Sequence, residues 1–267
     1  MAECNHDCEH CASKGSCDII KAKLDPRSSV KKVVAVLSGK GGVGKSFVTS
    51  SLAVYLNRLG KKVGVLDADI TGPSIPKAFG VKGTAYGEDN LIYPLKSKGG
   101  IDIMSANLLL ENEEDPIIWR GPLLANLVKQ FYENVLWEDL DYLLIDMPPG
   151  TGDITLTVFQ TIPIDDLIII TAPQDLVSLI VGKAIKMAEA MNIHLLGVIE
   201  NMSYLECPKC GEKINVFGES HLDEFAKKLN FDILARLPLN SENTKKMDEG
   251  RIEEVEIDEI KDAVSRL

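Results

Sequence analysis

The chain has 267 residues, of which 45% are hydrophobic, and its 40 acidic and 29 basic side chains give a formal net charge of −11 at pH 7. This length and composition suffice for one large α/β domain with a real core. The acidic excess disfavours nucleic acid and anionic membranes as main partners, since like charges repel. The sequence shows neither a run of about eighteen apolar residues that would span a bilayer nor the basic and apolar regions of a signal peptide. We therefore expect a cytoplasmic protein that binds neither nucleic acid nor membrane.

Residues 1–30 form a polar, cysteine-rich extension that ends in a run of turn-forming residues, 25–29. In a reducing compartment, cysteines serve as metal ligands or redox groups more often than as disulfide partners. Four thiolates suffice for a cluster site within one chain, while zinc binding and a thiol tail without metal are the alternatives. The four cysteines have the spacing C-x₃-C-x₂-C-x₅-C and are Cys4, Cys8, Cys11 and Cys17.

From residue 31 onward, short β-branched runs alternate with longer amphipathic segments, which predicts a parallel sheet with helices on both faces. We therefore predict one domain over residues 31–267, an α/β fold with a doubly wound, mostly parallel sheet. Ligands of such sheets bind at the carboxyl ends of the strands. The predicted strands are 33–37, 62–67, 101–105, 142–146, 167–171, 195–200 and 233–237.

A glycine-rich loop joins the first predicted strand to a predicted helix over residues 46–59. It matches the pattern G-x-x-x-x-G-K-[ST], which predicts an ATP site of the P-loop type. The glycines let backbone N–H groups turn toward phosphate oxygens, Lys45 would contact the outer phosphates, and Ser46 would bind Mg²⁺. A flexible turn is the alternative, which the order strand, loop, helix disfavours. The predicted binding residues are Gly39, Lys40, Gly41, Gly42, Val43, Gly44, Lys45 and Ser46.

Lys40 is a second lysine that the general pattern does not require. The run from Lys40 to Ser46 resembles the deviant phosphate loop of the MinD, ParA and nitrogenase iron-protein group. The resemblance implies that Lys40 crosses a dimer interface and neutralises charge on the partner's nucleotide during phosphoryl transfer. It thus implies a homodimer with nucleotide between the protomers. A solvated loop lysine is the alternative.

Two carboxylates, Asp67 and Asp69, follow the second predicted strand and precede the turn 70–74. In the resembling group, the second aspartate of this segment orients the water that attacks the γ-phosphate. The match assigns that catalytic role to Asp69, alongside Lys40 and Lys45. Asp67 would belong to the surroundings of Mg²⁺. Strand-end aspartates also cap turns, which is the alternative for both.

Asp146 closes an apolar strand in the manner of a Walker B segment, so it is the predicted Mg²⁺ ligand with Ser46. A segment rich in proline and glycine follows, where Gly150 is predicted to bring a backbone N–H to the γ-phosphate. For Asp153 we favour the N-cap of the next helix over a role in the site.

Two later residues are assigned to adenine by the resemblance alone. Asn201 follows the predicted strand 195–200, and Pro238 follows the strand 233–237. Both positions correspond to adenine contacts in the resembling group. Asparagine and proline are also common turn residues, so these assignments depend on the family.

Cys207 and Cys210 form a C-x-x-C knuckle after a late predicted strand. Gly211 lets the chain reverse there, so both thiolates can bind one metal ion or one cluster edge. Two thiolates are half of a four-ligand site, and two copies of the chain would supply all four. A thioredoxin-like dithiol is disfavoured, because the knuckle does not lead from an early strand into a helix.

Together these motifs resemble the Mrp/ApbC branch, also called the nucleotide-binding-protein family, over residues 30 to 267. The resemblance implies a homodimeric ATPase that assembles a four-iron, four-sulfur cluster across paired Cys207 and Cys210 and carries it to apo iron–sulfur proteins. The last three N-terminal cysteines match the C-x₂-C-x₅-C of eukaryotic members, whereas the spacing from Cys4 to Cys8 is shorter than the first spacing in those members. The segments that carry the resemblance are the phosphate loop, 67–74, 119–122, 147–153 and the knuckle.

Two other functions fit parts of this pattern. A MinD- or ParA-like positioning ATPase would bind membrane or DNA, which the acidic tail 248–259 disfavours. A regulatory ATPase stabilised by zinc at the knuckle would need no iron. Metal content separates the second from a cluster carrier.

Overall fold

The computed structural model of the protein describes residues 21–70, 72–110, 121–173 and 177–267. The predictions for Cys4, Cys8, Cys11, Cys17 and residues 119–120 lie outside these ranges. The strands are β1 (Val30–Ser38), β2 (Val63–Asp67), β3 (Gly87–Glu88), β4 (Leu91–Ile92), β5 (Leu95–Lys96), β6 (Asp102–Ser105), β7 (Leu140–Asp146), β8 (Asp166–Thr171), β9 (His194–Glu206), β10 (Lys213–Ile214) and β11 (Ile233–Pro238). The α-helices are α1 (Lys45–Arg58), α2 (Ile75–Ala78), α3 (Gly121–Asn134), α4 (Asp153–Thr161), α5 (Val177–Ala190), α6 (Leu222–Leu229), α7 (Ser241–Asp248) and α8 (Ile260–Ser265), with 3₁₀ turns at Ala106–Leu109 and Ile252–Glu254.

The main sheet has the strand order β10-β9-β8-β1-β7-β2-β6-β5, and β11 also pairs with β9. All pairs from β11 through β6 are parallel, while β10 and β5 are antiparallel additions. The predicted doubly wound, mostly parallel α/β fold is therefore confirmed. The register places Asp146 opposite both Val36 of β1 and Asp67 of β2. The carboxyl ends of these three strands thus meet at one edge of the sheet.

The central strands are apolar on both faces, as strands covered by helices on both sides must be. Residues 33–38 of β1 and all of β8 are buried. Helix α1 packs on β1, β2 and β7, and α3 packs against α4. The longest described helices have 14 residues. Within the described ranges, none is both long and apolar enough to cross a membrane.

Residues 21–29, which the sequence prediction assigns to the extension, lie against the helical layer. Ala22 is 5% exposed and its N–H donates to Thr161 O at 2.7 Å. Lys21 Nζ donates to Phe159 O at 2.8 Å, at the carboxyl end of α4. Ser29 N–H then donates to Trp137 O at 2.9 Å, just before β1 begins. These contacts attach the segment to the domain.

Candidate functional site

The phosphate loop leaves β1 and ends at the first turn of α1. Gly42 and Gly44 have φ values of 81° and 79°, in the left-handed region that glycine tolerates best. Gly44 is the N-cap of α1, and no side chain caps that helix. The N–H groups of the first turn therefore face the loop as a site for an anion.

A buried polar network joins the loop to β7. Lys45 Nζ, 6% exposed, donates to Asp146 Oδ2 at 2.7 Å. Ser46 Oγ donates to the same oxygen at 2.7 Å, and Thr49 Oγ1 donates to Asp146 Oδ1 at 2.6 Å. The structure thus brings together the predicted residues Lys45, Ser46 and Asp146. Sequence analysis missed Thr49, although it lies one helical turn after Lys45 on the same face.

The two strand-end aspartates of β2 have different surroundings. Asp67 is fully buried, and its carboxylate accepts N–H bonds from Asp69, Ser74 and Ile75 at 3.1, 3.1 and 3.2 Å. Burial and the neighbouring Asp146 carboxylate raise the pKa of Asp67. Asp69 Oδ2 lies 3.7 Å from Lys45 Nζ at the wall of the pocket. Asp67 therefore holds the turn, while Asp69 faces the space where a ligand fits.

Three further predictions concern residues in the loops around the site: Gly150, Asp153 and Lys40. Gly150 has φ 86°, and its N–H donates to Ser38 O at 2.7 Å, so a contact with phosphate requires that bond to open. The N-cap prediction for Asp153 is wrong: Gly152 is the N-cap, and Asp153 is the first residue of α4. An acidic side chain in a first helical turn still stabilises the helix through its dipole. Lys40 is half-buried, and its carbonyl accepts a hydrogen bond from Ser38 Oγ at 3.0 Å.

A cavity of about 300 Å³ opens beside the loop. Asn201 and Pro238, the predicted adenine contacts, both line it. Asn201 is 3% exposed, and its Nδ2 donates to Val43 O at 2.9 Å, a contact with the loop that the sequence did not reveal. Residues from five segments thus surround the cavity: Ser38, Gly41, Gly42, Gly44, Lys45, Ser46, Phe47, Asp69, Pro149, Asn201, Met202, Pro238, Leu239, Asn240, Asn243, Thr244 and Met247.

The cysteine knuckle lies at the end of β9. Cys207 N–H donates to Glu212 O and Gly211 N–H donates to Cys207 O, both at 2.9 Å, which closes a tight loop between β9 and β10. Cys207 is half-buried and Cys210 exposed, and both thiols are free. The N–H groups of Lys209 and Cys210 lower the pKa of Cys207 because they stabilise its thiolate. Within the described ranges, no cluster of three or more His, Cys, Asp or Glu side chains could hold a metal ion.

Comparison with known protein families shows to which family the chain belongs. A family model described as ParA, NUBPL iron-transfer P-loop NTPase, matches residues 29–267. The chain belongs to this family. The resemblance to an iron–sulfur carrier branch of P-loop NTPases is therefore confirmed.

Individual proteins that are similar to the chain support the same family assignment. An iron-sulfur cluster carrier protein from Clostridium perfringens is 46% identical over 266 residues, covering 92% of this chain and 93% of that protein. One of the same name from Methanocaldococcus jannaschii is 46% identical over 260 residues, covering 94% and 90%. A nucleotide-binding protein in complex with ADP from Archaeoglobus fulgidus has a TM-score of 0.77 and 44% identity, covering 85% of this chain and 89% of that one.

More distant structures share the fold. The cell division ATPase MinD of Pyrococcus furiosus has a TM-score of 0.62 at 20% identity, covering 88% of this chain and 96% of that chain. This likeness concerns the nucleotide-binding fold alone, since the identity is low.

Proposed function

We propose that the protein is an ATP-hydrolysing carrier that holds an iron–sulfur cluster between two copies of the chain and delivers it to apoproteins. One observation carries the proposal: β9 lines the nucleotide cavity at Asn201 and ends at the two free thiols of the knuckle. Membership in an iron-transfer NTPase family and relatives named as cluster carriers support the same function.

ATP hydrolysis is assigned to three side chains. Lys45 lies 2.7 Å from Asp146 and 3.7 Å from Asp69, so its ammonium can exchange a carboxylate for the outer phosphates. Asp69 borders the cavity and orients the attacking water. Lys40 reaches the nucleotide of a second copy and offsets the charge that develops in the transition state.

The donor set beside the loop fits Mg²⁺. Ser46 Oγ and Asp146 Oδ2 are 2.7 Å apart, and hydroxyl and carboxylate oxygens are ligands that Mg²⁺ prefers. The Lys45 ammonium pairs with that carboxylate at 2.7 Å, which supports a cation at this position. Asp67, in register with Asp146, holds the turn beside this donor set. Bound there with ATP, Mg²⁺ would neutralise the β- and γ-phosphates.

The cargo site needs a second copy. Cys207 and Cys210 offer two thiolates, whereas a four-iron, four-sulfur cluster takes four. A two-fold homodimer that faces the knuckles toward each other supplies them. The run after the knuckle exposes Ile214, Val216 and Phe217 by 45%, 49% and 43%. Neighbouring exposed apolar side chains mark an interaction surface, and it lies where the second copy is needed.

The test is the metal content of anaerobically reconstituted, full-length protein. Iron, sulfide and zinc are measured with the visible spectrum and the oligomeric state, on the native chain and on a variant with Cys4, Cys8, Cys11 and Cys17 replaced by serine. We expect the variant to keep one cluster per dimer and to reactivate an apo iron–sulfur enzyme. Zinc without iron in both proteins would favour the regulatory ATPase instead.

A further inference from the structure

The knuckle belongs to a longer segment, residues 204–219, here called the excursion, which comprises the end of β9, the knuckle hairpin with β10, and the chain that leads to Ser220 before α6. Every residue from 208 to 219 is exposed. A cavity of about 580 Å³ is lined both by residues of the excursion, such as Tyr204, Lys213 and Asn215, and by β11. Packing beneath the excursion is therefore sparse, so its orientation depends on a few polar contacts.

One buried carboxylate holds both ends of the excursion. Glu200 is 1% exposed, and its Oε2 accepts a hydrogen bond from Ser203 Oγ at 2.6 Å. Its other oxygen, Oε1, accepts a hydrogen bond from Ser220 Oγ. Arg236 Nε lies 3.5 Å from Oε2 and supplies the counter-charge that a buried carboxylate requires. The side chain thus ties the outgoing chain to the returning chain.

Glu200 is also the neighbour of a residue at the nucleotide cavity. Asn201 follows it and donates to the phosphate loop at Val43 O. The pairing of β9 with β11 loses register just here, between the partners of Arg236 and Pro238. Met202 within this irregularity has φ 57°, which is strained for a residue with a side chain. Bulges and strain of this kind concentrate beside functional sites.

Other contacts hold the excursion elsewhere. Tyr204 Oη donates to Glu259 Oε1 at 2.6 Å, and Lys213 Nζ lies 4.1 Å from the centre of the Tyr204 ring. The pairing of β10 with β9 closes the hairpin itself. These contacts fix the excursion to α8 and to its own strand. Leu239 N–H, at the nucleotide cavity, also donates to Tyr204 O at 2.7 Å, but this bond reaches one end of the excursion, whereas the Glu200 contacts join both ends.

We infer that Glu200 is a positioning residue, which orients the Cys207–Cys210 hairpin and links the thiols to the phosphate loop through Asn201. A shift of the loop on nucleotide binding moves Asn201, and the carboxylate next to it carries that shift to both ends of the excursion. The inference extends the proposed function, and it depends on that function only for the use of the linkage in cluster transfer. The linkage itself exists with or without a cluster.

The experiment measures alkylation of the two thiols in full-length, reduced, metal-free protein with no nucleotide, with ADP and with ATP. Peptide-resolved mass spectrometry separates Cys207 and Cys210 from the N-terminal cysteines. In the native chain, we expect nucleotide to change the alkylation rate about fivefold or more, the lower end of usual allosteric coupling. Glu200→Gln should reduce this change to less than about twofold, since an amide cannot accept both serine hydrogen bonds in the same way.

A second variant guards against misfolding of the first. The pair Ser203→Ala and Ser220→Ala keeps the carboxylate with Arg236 and removes its links to the excursion, together with the bond that Ser220 Oγ accepts from Leu222 N–H at 3.2 Å, so it should show the same loss. Asp223→Asn is the matched control, because Asp223 pairs with Arg236 at 2.6 Å and has no hydrogen bond to either serine in the described structure. An unchanged nucleotide effect in both test variants, or no effect in the native chain, would overturn the inference. Because the readout needs no cluster, failure to bind iron would count against the proposed function alone.

Discussion

The phosphate-loop cavity and the cysteine knuckle differ in how much of each site one chain supplies. At the cavity, Lys45 and Asp146 are buried and hydrogen-bonded before any ligand arrives. At the knuckle, two free thiols stand on an exposed hairpin with half the ligands of a cluster. A preformed site can bind its ligand with little reorganisation. Under the proposed function, the half-site instead makes cargo binding depend on a second protein chain.

The largest effect should follow from removing the half-site. We expect Cys207→Ala with Cys210→Ala to abolish cluster transfer, because no thiolate is left at the proposed interface. Nucleotide affinity should stay the same, since neither cysteine lines the cavity. Calorimetric nucleotide titration and reactivation of an apo enzyme measure the two sites separately. Undiminished transfer would show that the cargo is held elsewhere.

One added methyl group, at Gly44, should disrupt nucleotide binding in the cavity. A Cβ on Gly44 would lie 2.2 Å from Asn201 Nδ2, and the residue has φ 79°. Left-handed strain of about 1–2 kcal/mol adds to this clash, so we expect Gly44→Ala to weaken nucleotide binding about 100-fold or more, the equivalent of ~2.7 kcal/mol. Gly60→Ala is the control, because Gly60 has φ 77° but nothing within 4 Å of the added atom. Equal affinities of the two variants would refute the role of the contact.

A smaller effect should show that the cavity is preformed. Thr49→Val removes the hydroxyl that donates to buried Asp146 at 2.6 Å. We expect the nucleotide-free protein to lose about 1–3 kcal/mol of unfolding free energy, the cost of an unsatisfied buried acceptor. Urea denaturation measures it as a lower midpoint at unchanged slope.

The neighbouring serine gives the matched control for this variant. Ser50 Oγ is buried and has no hydrogen-bond partner within the described part of the chain. Ser50→Ala should therefore be neutral or stabilising, because it removes an unpaired polar group and favours the helix. A similar loss in both variants would mean that packing, rather than the bond to Asp146, explains the effect.

The smallest effect concerns the knuckle in the absence of metal. The N–H groups of Lys209 and Cys210 lower the pKa of Cys207, so its reactive thiolate should persist to lower pH than that of an ordinary thiol. The pH profile of Cys207 alkylation, against a small-molecule thiol under the same conditions, measures the shift. A midpoint at or above that of the reference thiol would contradict the geometry of the knuckle.

Much of the fold was predictable because its signals are local. The apolar runs that end in Asp67 and Asp146 are strands, and the glycine pattern before Lys45 is a phosphate loop in the structure. The family that these motifs resembled is the family of the chain. The roles of the individual site residues stay predictions.

The missed features depend on contacts between distant segments. Thr49 meets Asp146 across 97 positions, and Asn201 meets Val43 across 158, so no spacing rule reveals either contact. The contacts of Glu200 were missed for the same reason, because Ser220, which donates to its carboxylate, lies 20 positions later in the chain. The N-cap prediction for Asp153 was wrong for a local reason, because the backbone geometry places the N-cap at Gly152, one residue earlier.

The length of β9 has a consequence for the order in which ligands load. Asn201 lies in this strand at the cavity, and Cys207, six residues later, directly follows the strand at the knuckle. Extended chain advances about 3.3 Å per residue, which separates them by roughly 15–20 Å. A nucleotide at Asn201 and an iron–sulfur cluster at Cys207 would share no protein ligand at that separation. The proposed dimer should therefore hold nucleotide and cargo at the same time, and either of them should be able to enter first.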